Sequence, residues 1–80
     1  MHEVSLCESI VKIIERRAAQ EGFTRVLGIT LSIGKLSGAS TEALDFSFPF
    51  VAKDTIAEGA RLTFHPTQGR DLRVKELEVG

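Results

Sequence analysis

Two histidines, one cysteine and the first three residues carry most of the coordination chemistry in this sequence. It opens Met1-His2-Glu3. A terminal amine, the amide nitrogen of residue 2 and the imidazole Nδ1 of a histidine at residue 2 close two fused chelate rings. Three nitrogens converge from two residues, and such a planar, strong-field set favours Ni(II) or Cu(II) over Zn(II), which prefers a tetrahedron. The amine is expected to be that of Met1, because initiator methionine is normally removed only ahead of a small residue and His2 is large. Glu3 by itself reads as a solvated charge ahead of a helix N-terminus. Cys7 lies on an apolar helix stripe and reads as a small buried hydrophobe rather than a thiolate ligand. As the single cysteine it also excludes an internal disulfide and a multi-cysteine zinc site within the chain. His65 reads as an exposed strand residue, with an accessory metal or partner contact as its functional alternative. No G-x-S-x-G, phosphate-binding glycine loop or H-E-x-x-H is present, so the sequence points away from an enzyme.

The elements that must position these residues follow from periodicity. Cys7, Ile10, Val11, Ile14 and Ala18 recur at helical spacing, with Leu6 and Ile13 widening the stripe, which predicts a helix from Ser5 to about Gln20. Ser5 and Glu8 fit a capping box, and Gly22 is the stop. Capping at Ser5 would leave Met1 to Val4 extended, ahead of the helix. Residues Arg25 to Gly34 alternate, placing Leu27, Ile29, Leu31 and Ile33 on one face of a strand. Ser40 is suited to cap a second helix carrying Leu44, Phe48 and Val51, with Phe46 and Phe50 beside them. Pro49 should kink that helix or end it early, since it lacks an N–H and crowds the carbonyl four residues back. Asp54 to Gly59 reads as a loop, and Ala60 to His65 as a strand with Leu62 and Phe64 inward. In the last strand, Asp71 to Val79, Leu72 and Val74 are out of phase with Leu77 and Val79, which places a β-bulge at Lys75-Glu76. The fold class expected is α+β, with two helices packed on one face of a three-stranded, mainly antiparallel sheet.

Eighty residues suffice for one small domain with a thin core. A net charge of −1 and the lack of any Lys/Arg cluster argue against nucleic acid as ligand. No stretch is long and apolar enough for a membrane span, and the start lacks the layout of a signal peptide, so a cytoplasmic location and no membrane partner are expected.

Five segments, MHEVSLCESI, LSIGKLSG, TEALDFSF, DTIAEGARL and GRDLRVKELEVG, resemble in order the corresponding parts of the HypA/HybF family of hydrogenase nickel-incorporation proteins. Singly they are mostly core pattern and turn residues; their order, with MHE at the front, is specific. The resemblance implies that Met1 and His2 bind nickel and that Glu3 contributes to function, by orienting the site or contacting a partner. It also implies a hydrogenase large subunit and a nickel-handling GTPase co-chaperone as partners. The sequence departs from the family in one respect. Members carry a zinc domain with two C-x-x-C pairs between the last two strands, whereas this chain has only Pro66-Thr67-Gln68-Gly69 there. It therefore resembles a single nickel-binding domain, 1–80, from which the zinc domain has been excised near 66–69, by engineering or by natural reduction. No structural zinc is expected, and so short a link invites a homodimer formed by swapping the last strand.

The function expected is that of a nickel metallochaperone, binding Ni(II) at its N-terminus and delivering it for [NiFe]-hydrogenase maturation. The alternative is a metal-independent interaction module that docks through the MHE terminus.

Overall fold

The computed structural model describes residues 2–80, with side chains from Glu3 onward. The elements run α1 (His2–Glu21), β1 (Val26–Gly34), α2 (Thr41–Ala52), β2 (Arg61–Thr67) and β3 (Leu72–Val79). As expected, two helices pack with a three-stranded sheet in an α+β arrangement. The strand order is β2-β1-β3.

The pairing within the sheet is mixed: β1 runs parallel to β2 and antiparallel to β3. Chain connection explains the difference from a mainly antiparallel sheet. The α2 helix carries the chain from the end of β1 back to its beginning, so β2 starts alongside the start of β1, as in a β-α-β crossover.

The sequence misplaces the start of α1. The helix begins at His2, so Val4 and Ser5 are helical and no capping box forms at Ser5. Nothing in His2-Glu3-Val4 breaks a helix, and Glu3 in the first turn favours extension toward the N-terminus because a negative charge there complements the helix dipole. The other predicted caps are formed. Gly22 adopts φ 83° and its N–H donates to the Ala18 carbonyl at 2.8 Å, closing α1. Ser40 Oγ accepts from the Ala43 N–H at 3.1 Å, opening α2. Pro49 does not end α2, which continues to Ala52.

Phe48, Ile14, Ile29, Leu31, Leu44, Val26 and Cys7 are fully buried and form the centre of the core. Leu62, Phe64, Leu72 and Leu77 are half-buried against it from the edge strands. Leu27 was expected inside, yet it is 42% exposed while Val26 is buried. The register slips there, pairing Val26 with Val79 but Gly28 with Glu78, so Leu27 is a bulged residue outside the alternation. The predicted bulge in β3 is present: Val74 pairs with Leu31 and Glu76 with Thr30, leaving Lys75 between them.

The link from β2 to β3 has to cross the end of β1. Three backbone bonds hold it there, from Gly34 N–H to the Asp71 carbonyl (2.7 Å), Lys35 N–H to Thr67 (3.0 Å) and Leu36 N–H to Gly69 (2.9 Å). Thr67 Oγ1 also donates to Asp71 Oδ1 at 2.7 Å. The short link thus spans from β2 to β3 across the end of β1.

Candidate metal centre

Met1 and the His2 side chain, the two principal metal-site candidates, lie outside the described residues. The His2 backbone does not, and it is the first helical residue of α1. The opening amides of a helix have no carbonyl a turn earlier to bond, so the His2 nitrogen has no intrahelical partner to lose. Glu3 follows in the first turn and is half-buried. Ser5, Leu6 and Ser9 of α1 face Ser37, Gly38 and Ala39 across a small cavity, so the helix start sits beside the turn that leaves β1.

Cys7 is one turn further along and is wholly buried. Its Sγ donates to the Leu44 carbonyl at 3.7 Å, which ties α1 to α2. Burial pushes its thiol pKa up, and the charges of Glu3 and Glu8 push it the same way. A thiol held protonated in the core is a packing residue, not a ready ligand.

His65 is exposed on β2, where it partners Ser32 of β1. Leu62 and Phe64, its inward neighbours, pack toward the helices, so parity puts His65 on the opposite face of the sheet. It shares an end of the sheet with the start of α1 but not a face. Among the described residues, no three His, Cys, Asp or Glu side chains gather as a metal-binding group.

One prominent surface is only partly legible in the sequence. Phe46 and Phe50, read as companions to the buried stripe of α2, are 72% and 73% exposed. Their rings lie 5.7 Å apart, tilted at 53°. The signal was the width of the stripe: apolar residues at 44, 46, 48, 50, 51 and 52 of a twelve-residue helix cannot all face one core.

Comparison with known proteins gives the start of α1 a context. The family model described as hydrogenase/urease nickel incorporation, metallochaperone, hypA, matches residues 1–70. The chain belongs to the HypA family. The hydrogenase maturation factor HypA of Rhodopseudomonas palustris (strain BisA53) is 51% identical over 112 aligned residues, covering 99% of each chain. An alignment of 112 positions against a chain of 80 leaves about 32 of that relative's residues without a counterpart here. The HypA of Alkalilimnicola ehrlichii is 47% identical over 62 residues, which is 78% of this chain but 55% of that relative. The solution structure of the nickel metallochaperone HypA from Helicobacter pylori has the same fold, with TM-score 0.86, 16% identity and coverage of 99% of this chain and 97% of that one. The relatives it matches in that family are named hydrogenase maturation factors, and the family's description is nickel incorporation. No helix among the described residues is long and apolar enough to cross a membrane.

Proposed function

We propose that this chain is a nickel carrier for hydrogenase maturation that takes up Ni(II) through the Met1 amine, the His2 amide nitrogen and the His2 imidazole. The start of α1 at His2 is the observation that carries the reading. An amide with no intrahelical partner can give up its proton to a metal without breaking the helix behind it. The positive end of the helix dipole also favours loss of the proton from a terminal amine, and so favours the ligand form.

Nickel is cargo in this reading, and a site at a chain end suits cargo because it can be approached and dismantled without disturbing the core. The fourth position falls to the Glu3 carboxylate, to water or to a group on the receiving protein; His65, on the far face of the sheet, is the weaker choice. The recipient is a hydrogenase large subunit and the helper a nickel-handling GTPase, both in the cytoplasm. We read the short link between β2 and β3 as the place from which the family's zinc domain has been excised, a reading supported by the single cysteine of the sequence.

Adding one residue before Met1, or replacing His2 with alanine, is expected to abolish tight nickel binding in a calorimetric titration. The extension turns the amine into an amide and destroys the first chelate ring; His2→Ala removes the nitrogen that closes the second. The fold is expected to persist by circular dichroism, since both changes touch only the first turn of α1. Nickel should be released steeply as pH falls toward about 6, because an α-amine of pKa ~8 and an imidazole of ~6.5 must both be deprotonated to bind. Unchanged affinity in the extended protein would instead favour a terminus that docks without metal.

A further inference from the structure

A groove of about 780 Å³ runs between α1 and α2 on the side of the molecule away from the sheet. Phe46 and Phe50 form one wall, and Val4 and Val11 of α1 line the other. The Phe rings are almost three-quarters exposed, so they contribute little to this chain's own core. An aromatic pair left in water beside an apolar trough is the usual mark of a binding surface.

Charge and backbone chemistry decide what fits. Glu8 and Glu15 stand two turns apart along the α1 rim, with Lys12 between them, so the rim is net acidic. Neither glutamate is ion-paired among the described residues. A second copy laid on this groove about a two-fold axis would bring acidic rim against acidic rim, which opposes self-association. An extended peptide is also disfavoured. Both walls are helices whose backbone groups are already bonded along their own axes, so a strand laid here would find no partners for its N–H and C=O groups. A helix brings its own satisfied backbone and needs only side-chain contacts.

We propose that the α1–α2 groove is a docking site for an amphipathic helix of a partner protein, with an apolar face on Phe46 and Phe50 and flanking Lys or Arg residues against Glu8 and Glu15. The surface reaches Val4, within the first turn of α1, so a helix seated there lies next to the chain start. Docking requires no metal, and it stands or falls separately from chelation.

The test uses the full chain without metal and two synthetic helical peptides, one of Leu and Lys with a single apolar face, the other with Glu in place of every Lys. In fluorescence anisotropy the Leu/Lys peptide should bind, and in amide NMR it should shift Glu8, Val11 and Phe50. The double variant F46S/F50S should weaken binding by about tenfold or more, and E8K/E15K, which keeps both rings, should reverse the preference toward the Leu/Glu peptide. Nickel titration of F46S/F50S should be unchanged. Equal binding of the two peptides, shifts confined to the sheet face, or binding that survives F46S/F50S would overturn the proposal. So would sedimentation showing a dimer of the unmodified chain that F46S/F50S dissociates, because the occupant would then be a second copy.

Discussion

His2 opens α1, so a cation held there meets the positive end of the helix dipole. A bare divalent ion would be repelled; a chelate that expels the amide proton has already lost one unit of positive charge. The half-buried carboxylate of Glu3 offsets part of the remainder. Glu3→Gln is therefore expected to weaken nickel binding by about two- to fivefold, the size of one charge at a helix end, with the fold unchanged. A planar nitrogen set also fixes the order of metals: competition titration should give Cu(II) tightest, Ni(II) next and Zn(II) far behind. Zinc bound as tightly as nickel would rule out the planar set. Cys7 belongs to the same helix but to different chemistry. Its burial and raised pKa predict no reaction with a thiol reagent until the chain unfolds, so labelling should follow the unfolding transition. The sequence made Cys7 legible through its place on the apolar stripe. The width of the apolar stripe on α2 showed that some of its residues must lie outside the core, but which ones depends on how α2 rotates against α1, which no local pattern encodes.

Among the elements, alternation and helical spacing were enough to locate both helices and all three strands, and the phase change in β3 was enough to locate its bulge. What they missed has a common cause. The second bulge, at Leu27, interrupts a run where Val26 and Leu27 are both apolar, so neither phase was distinguishable beforehand. The direction of β2 follows from the path of α2, a property of tertiary connection. The capping pattern at Ser5 lost to a helix that extends three residues further toward the N-terminus. The β2–β3 link is the most constrained connection. A Cβ placed on Gly34 would lie 2.1 Å from the Gly69 carbonyl oxygen and 2.4 Å from its carbon, so Gly34→Ala must push the link off the end of β1. Melting should show a loss of about 1–3 kcal/mol or more, and sedimentation should show dimers as β3 is freed to pair with another copy. The link also carries a pH dependence. The hydrogen bond from Thr67, before any other influence, holds the Asp71 carboxyl below the ordinary value of 3.8. Its contribution is thus fully present above that value and is lost as pH falls through the lowered one. Amide exchange at Leu36, whose N–H bonds the link, should quicken over that acid range, and Thr67→Ala should return the Asp71 titration toward 3.8.

For the whole molecule the question is how a chain this short keeps a fixed platform behind the proposed nickel site. At the usual stability per residue, eighty residues give about 4–12 kcal/mol, so a few large side chains decide whether the domain stands. Two of them join the layers. Ile14 is wholly buried on α1 and Phe48 is 2% exposed on α2, and both meet the β1 residues Ile29 and Leu31 in one cluster. Ile14→Ala is expected to cost about 2–5 kcal/mol and Phe48→Ala about 3–5, through lost burial and the cavity left behind. Either loss is a large share of the total, so both variants should melt far below the parent or be unfolded at room temperature. Phe46→Ala is the control within the same helix: its ring is mostly in water, so melting should move by a fraction of those amounts. The comparison also bears on metal handling. Ligand atoms drawn from residues 1 and 2 persist in an unfolded chain, so a Phe48→Ala variant that has lost its fold should still bind nickel, though without whatever the helix end adds. Binding in that variant at the parent's affinity and pH midpoint would mean that α1 does not tune the site at all. A midpoint moved to higher pH is the expected outcome, because unfolding removes the dipole that favours the deprotonated amine.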